Sequence, residues 1–202
     1  MIKSEEMMMN EILLKYLNQF TTLSEEKKQA ILEDLHIENY KKGTYLLRQG
    51  DVPTKCFFVL KGCVRQYSID QSGKEATSNF YTEEQAITSF SHYKEDPTSQ
   101  YSYICLEDCS LVIGDLQSEM DMYEKHSQLG ELTRKMLQMN FAQVQDEFAS
   151  FIQSSPEERY KSLLVKRPQL IDRVPQHQLA NYLGITPESL SRIKKRINSE
   201  KL

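Results

Sequence analysis

The segment TPESLSRIKKR, residues 186–196, concentrates side chains suited to a phosphate-rich partner. Serine and threonine hydroxyls hydrogen-bond to phosphate oxygens, and lysine and arginine neutralise them. Arginine can also read guanine through two hydrogen bonds, and a carboxylate can accept from the amino group of cytosine. Leu190 and Ile193 share one face of a helix at this spacing, so Ser189, Ser191, Arg192, Lys195 and Arg196 are expected to face outward. Thr186 suits the N-cap, Pro187 the first turn, and Glu188 the positive end of the helix dipole. His177, one helix earlier, is placed to touch phosphate. The expected DNA-contacting set is therefore His177, Thr186, Glu188, Ser189, Ser191, Arg192, Lys195 and Arg196, with Arg192 and Glu188 reading bases.

Such a helix must be held at its back. Leu179, Ala180, Leu183, Gly184, Ile185, Leu190 and Ile193 occupy the positions a helix-turn-helix requires: a small residue where helices cross, a glycine at the turn, and apolar residues pinning the second helix to the first. The competing reading is a plain helical hairpin with a solvated basic face, in which Glu188 and Arg192 form only an intrahelical pair. Charge distribution favours the DNA reading. The chain carries −4 overall, yet Pro156 to Leu202 holds ten Lys or Arg against five Asp or Glu, while the rest holds 15 against 24. A net +5 end on a −9 body is an electrostatic footprint confined to one domain.

At 202 residues, with 39% hydrophobic and 27% charged residues, the chain fits two modest globular domains. The opening MIKSEEMMMNEILLKYLNQF lacks an apolar signal core, and the strongest apolar run, Cys56 to Leu60, is too short for a bilayer, so a cytoplasmic protein without membrane contact is expected. Four cysteines without a C-x-x-C pair fit a reducing compartment. Cys56 and Cys63 read as small hydrophobes in strands, and the Cys105 and Cys109 pair is somewhat more suggestive of redox chemistry. His36, His92, His126 and His177 show no ligand spacing, and no nucleophile, base and orienter converge, so neither metal, cofactor nor enzymatic activity is expected.

Residues 7–35 read as two amphipathic helices. Short strand-like runs follow at 44–48, 56–60, 63–69, 75–81, 101–106 and 109–113, separated by turns at Gly50-Asp51, Lys61-Gly62, Gln71-Ser72-Gly73 and Glu107-Asp108, which implies an antiparallel sandwich or roll. After Gly114 the period is helical for nearly forty residues. Leu129, Leu132, Met136 and Met139 form one stripe, and Leu137, Phe141, Val144, Phe148 and Phe151 another. Two displaced stripes suggest contact with more than one surface; the first suits packing on the chain's own β-domain, and the pattern as a whole a symmetric dimer helix. The expected dimerisation set is Leu129, Leu132, Met136, Leu137, Phe141, Val144 and Phe148. Ser155 and Pro156 then open a new helix, which Pro168 closes.

On these residues the chain resembles the Crp/Fnr superfamily of dimeric bacterial transcription regulators. KKGTYLLRQGD, CFFVLKGCVRQY and SGKE are similar to the glycine-punctuated β-roll of its sensor domain, with Gly43, Gly50, Gly62 and Gly73 at turns. RYKSLLVKRPQL and VPQHQLANYLGITPESLSRI resemble its C-terminal domain. Glu188 and Arg192 match the family's base-reading positions, whereas Pro187 replaces a position that is often polar. Members that bind cyclic nucleotides use a Gly-Glu pair and a downstream Arg to hold the phosphate, yet residues 74–113 contain neither Gly nor Arg and Lys94 is the sole cation of the polar stretch that follows Glu83 and Glu84. Cyclic-nucleotide binding is thus expected to be lost. The iron–sulfur branch uses N-terminal cysteines, and none precedes Cys56.

The resemblance implies an α+β chain: an N-terminal cyclic-nucleotide-binding-like antiparallel β-roll with flanking helices (1–118), a long dimerisation helix (119–152), and a C-terminal helix-turn-helix domain (153–202) whose β wing is reduced or absent. The expected function is a transcription regulator that binds a palindromic site on double-stranded DNA as a homodimer and works with RNA polymerase without responding to cyclic AMP. An unknown small-molecule effector would lie near Glu83, Glu84, Ser99 and Gln100. The alternative is a ligand-binding or protein-interaction module that keeps the β-roll and does not regulate genes.

Overall fold

The run KCFFVLK, Lys55–Lys61, is apolar on both strand faces because both faces are covered. In the computed structural model, which describes residues 2–20, 23–88, 95–116, 119–125 and 129–199, this strand is β3. Phe57 and Val59 point into one core with Val64, Ile87, Tyr103, Cys105, Cys109 and Leu111. Leu60 and Phe58 point the other way, into a second cluster with Leu13, Leu17, Leu32 and Val112. Leu13 and Leu17 come from helix α1 (Ile2–Phe20) and Leu32 from α2 (Glu25–Asp34), and the Tyr16 ring lies 4.5 Å from that of Phe58.

Around β3 stand β1 (His36–Tyr40), β2 (Tyr45–Leu47), β4 (Val64–Ile69), β5 (Glu75–Tyr81), β6 (Ala86–Ile87), β7 (Ser102–Cys105) and β8 (Cys109–Asp115). They form two four-stranded sheets, ordered β1-β8-β3-β6 and β2-β7-β4-β5. β1 runs antiparallel to β8 from His36 opposite Ile113 to Tyr40 opposite Cys109. Two of these strands escape the sequence pattern. HIENY carries a single aliphatic residue, and β6 is only two residues long, so each is made by its partner's edge rather than by its own composition.

After Gly114 the chain forms α3 (Glu119–Lys125) and α4 (Leu129–Gln153), and residues 126–128 between them lie outside the described residues. His92, Lys94 and His126 lie outside the described residues.

The chain resolves into two compact units, Met1–Gln66 with Phe80–Phe141, and Tyr67–Asn79 with Ala142–Leu202, so α4 contributes to both. The second unit contains α5 (Pro156–Lys166), the single turn α6 (Leu170–Arg173), α7 (Gln176–Tyr182) and α8 (Pro187–Ser199). α5 starts in a capping box: Ser155 Oγ accepts from the Glu158 N–H, and the Glu158 carboxylate accepts from the Ser155 N–H at 2.8 Å. Leu170, Leu179, Ala180 and Leu190 are completely buried in its core. The same unit holds the tip of the β4–β5 hairpin, closed by Asp70, whose carboxylate accepts from the N–H groups of Ser72 and Lys74.

Candidate nucleic-acid interface

α7 ends as a Schellman motif: the Ile185 N–H bonds the Ala180 carbonyl and the Gly184 N–H bonds that of Asn181, both at 3.0 Å. Gly184 takes φ +70°, a conformation costly for any residue with a Cβ, and a Cβ there would meet the Arg159 guanidinium at 3.2 Å. The chain then turns at once into α8. Thr186 caps it, with Oγ1 accepting from the Ser189 N–H at 3.3 Å, and Pro187 supplies the first helical residue.

Leu190, Ile193 and Ile197 are the buried side of α8. This leaves Glu188, Arg192, Lys195 and Arg196 exposed, with Ser189 and Ser191 half-buried at the flank. Pro187, Glu188, Ser191 and Arg192 together line a shallow open depression at the start of the helix. Arg192 reaches back to Ser189 Oγ at 3.4 Å. Hydrogen bonds from its own N–H and from Thr186, reinforced by Arg192, hold the Glu188 carboxyl below the usual carboxylate range, so it is an acceptor at neutral pH. His177 is exposed on α7.

One expected contact differs. Arg196 is paired with Glu157 of α5 rather than standing free, and Glu157 also holds Lys161 at 2.7 Å. The sequence pattern could not show this, because a partner 39 residues away leaves no periodic trace. It also missed Arg159. That guanidinium stacks 3.8 Å from the Phe151 ring centre, donates to the Phe151 carbonyl at 3.2 Å and to the Leu183 carbonyl at 3.1 Å, and so ties the end of α4 to the turn before α8. A third missed residue is Asn181. Its side-chain amide accepts from the Thr77 N–H and donates to the Glu75 carbonyl at 2.8 Å, bonding β5 as a neighbouring strand would. Arg167 adds a bond to Asn79 Oδ1 at 3.2 Å.

The apolar stripes of α4 part company. Half-buried Met136 packs on the cluster built from Leu13, Leu17 and Leu60. The side chains of Leu129 and Leu132 lie outside the described residues. Leu137 is half-buried. Phe141, Val144 and Phe148, by contrast, are 64%, 61% and 65% exposed, far more than such side chains tolerate in a finished core.

The residues expected near an effector perform local structural work. Glu83 accepts from the Gly62 N–H at 2.9 Å, Glu84 sits at φ 65° and pairs with Lys15 at 2.7 Å, and buried Ser99 exchanges hydrogen bonds with the Tyr101 backbone. Gln100 is exposed. Among the described residues no group of three His, Cys, Asp or Glu side chains is arranged to hold a metal, and no helix is long and apolar enough to cross a membrane.

Comparison with known proteins agrees with this architecture. Residues 37–126 match the cyclic nucleotide-binding domain family. The transcriptional activator protein Anr of Pseudomonas protegens, and its namesake in Pseudomonas aeruginosa, are 23% identical over 177 residues, covering 80% of this chain and 70% of theirs. FixK2 from Bradyrhizobium japonicum superposes with a TM-score of 0.67 at 16% identity, over 83% of this chain and 86% of its own. A chain assigned to the Crp/Fnr family from Eubacterium rectale gives a TM-score of 0.65 at 20% identity, over 92% and 88%. A sensor-type β-roll followed by flanking and C-terminal helices is the common plan. Residues 37–126 thus correspond to a cyclic nucleotide-binding domain, and the chain shares the fold of these structures.

Proposed function

We propose that this protein is a cytoplasmic transcription regulator whose α8 enters the major groove of double-stranded DNA. The observation that carries the reading is the division of α8 into a buried Leu190, Ile193 and Ile197 face and an exposed Glu188, Arg192 and Lys195 face, in the one basic portion of an acidic chain. In this reading α7 and α8 are a helix-turn-helix. Arg192 and Glu188 read base edges, while His177, Thr186, Ser189, Ser191 and Lys195 set the register on phosphates. Arg196 joins them when it exchanges Glu157 for phosphate.

Phe141, Val144 and Phe148 support a homodimer through α4, which suits a palindromic site. The working division is a sensor at 1–118, a dimerisation helix at 119–152 and a DNA-binding domain at 153–202, with RNA polymerase as a further partner and no catalytic role. The relatives named transcriptional activators fit this function. Cyclic AMP is not the effector in this reading, because residues 74–113 offer neither glycine nor arginine to a buried phosphate.

Binding to promoter fragments at increasing salt tests the proposal. A steep fall of log affinity with log salt, together with preference for particular fragments over random DNA, is the expected result. A shallow slope without sequence preference favours a ligand-binding module that does not regulate genes.

A further inference from the structure

Ser154 and Ser155 are all that separates α4 from α5. Each is committed to its own side of this joint: the Ser154 hydroxyl donates to the Ser150 carbonyl of α4 at 2.6 Å, and Ser155 caps α5. Arg159 crosses the joint. From α5 its Nε donates to the Phe151 carbonyl of α4 at 3.2 Å, and its Nη1 donates to the Leu183 carbonyl at 3.1 Å. The guanidinium carbon lies 3.8 Å from the centre of the Phe151 ring.

Both carbonyls stand at helix ends. Phe151 is in the last turn of α4, and Leu183 directly follows α7. The last carbonyls of a helix have no partner within it and carry the negative end of its dipole, so one cation here joins two helix carboxyl ends. The turn into α8 is packed to match: a Cβ on Gly184 would lie 3.2 Å from the Arg159 guanidinium and 3.6 Å from the Phe151 ring. A lysine carries a point charge without the planar fork, and it can neither serve both carbonyls nor lie flat on the ring.

Phe148, on the exposed apolar side of α4, lies one turn before Phe151. The series Phe148, Phe151, Arg159 and Leu183 therefore runs from that side to the start of α8 inside one compact unit. We propose, resting on the reading of α4 as the dimer helix and α8 as the DNA reader, that Arg159 is a positioning residue that sets the spacing between half-sites. Each base pair added to a spacer moves a half-site by about 3.4 Å and turns it by about 35° around the duplex axis. With the clasp closed, α8 is fixed against its own dimer helix and one spacer fits. With it open, the two-residue joint lets α8 follow half-sites at other spacings.

The test starts from duplexes that the wild-type protein enriches out of a random-sequence library. The enriched half-site is rebuilt as palindromes with longer and shorter spacers, and affinity for each is measured by fluorescence anisotropy. Wild type should favour one spacer. A hydrogen bond to a charged group is worth about ten-fold in an equilibrium, so Arg159→Lys should cut that preference by about ten-fold and leave base preference within the half-site unchanged. Phe151→Leu removes the ring from the α4 side of the clasp; it should shift the preference in the same direction, and it decides the matter where Arg159→Lys does not fold. Equal weakening on every spacer, an unchanged spacer preference in the folded variant, or a wild type indifferent to spacing overturns the proposal. A library from which wild type enriches no palindrome removes the DNA reading itself, and this role of Arg159 with it.

Discussion

Arg192 and Lys195 are both exposed cations on α8, yet their settings predict different behaviour. Arg192 sits at the depression lined by Pro187, Glu188 and Ser191, where its planar fork can meet a guanine edge, and Lys195 lies a turn further along with a point charge. Arg192→Ala should relax base preference at one position per half-site and cost about 1 to 3 kcal/mol on the preferred site. Lys195→Ala should weaken all sequences alike and reduce the salt slope by about one. Competition binding against single-base operator variants distinguishes the two, and equal losses on specific and random DNA for both variants would remove Arg192 from the base-reading role. These outward residues were legible in the sequence because helical spacing divides α8 into two faces. Arg159 and Asn181 were not, since their partners lie 24 and more than 100 residues away.

The elements that position α8 depend on local chemistry at their ends. Ser155 and Glu158 cap α5, and the hydrogen bonds from Ser155 hold the Glu158 carboxyl below its ordinary value. A depressed folded-state value means the stabilisation is present above the unfolded carboxylate value and is lost as pH falls through the depressed one. Ser155→Ala should therefore destabilise the protein by about 0.5 to 2 kcal/mol near neutrality, with the gap to wild type narrowing as acid protonates Glu158. Thermal unfolding at a series of pH values measures it, and a gap that widens in acid contradicts this account. Strongly patterned elements were readable in advance: β3 with its two apolar faces, the Ser155-Pro156 start, and the Gly184 turn. β1, β6 and α6 were not, because five polar-rich residues, a two-residue bridge and a single turn are shaped by neighbours rather than by their own pattern.

At the level of the molecule, Phe141 and Phe148 present two aromatic side chains to water on one helix. In the homodimer proposed above, half-sites roughly 34 Å apart, one turn of DNA, would make the second engagement an intramolecular event. Phe141→Asp with Phe148→Asp should leave the β-roll folded by circular dichroism, yield a monomer on sedimentation, and abolish measurable operator binding. A monomer that keeps near wild-type affinity contradicts the role given to α4. Isothermal titration with cyclic AMP should register no heat of binding, and micromolar affinity would show that another group replaces the missing arginine. The clasp of Asn181 on β5 has a consequence for the protein's life in a crowded cell. β5 is the outer strand of its sheet, and the Thr77 N–H and Glu75 carbonyl that Asn181 occupies are the groups an open edge offers to any extended chain. Asn181→Ala should make the protein prone to sheet-to-sheet self-association on mild heating, read as light scattering that rises below the unfolding midpoint. On this account, an amide on the first helix of the proposed DNA reader would also shield an open sheet edge.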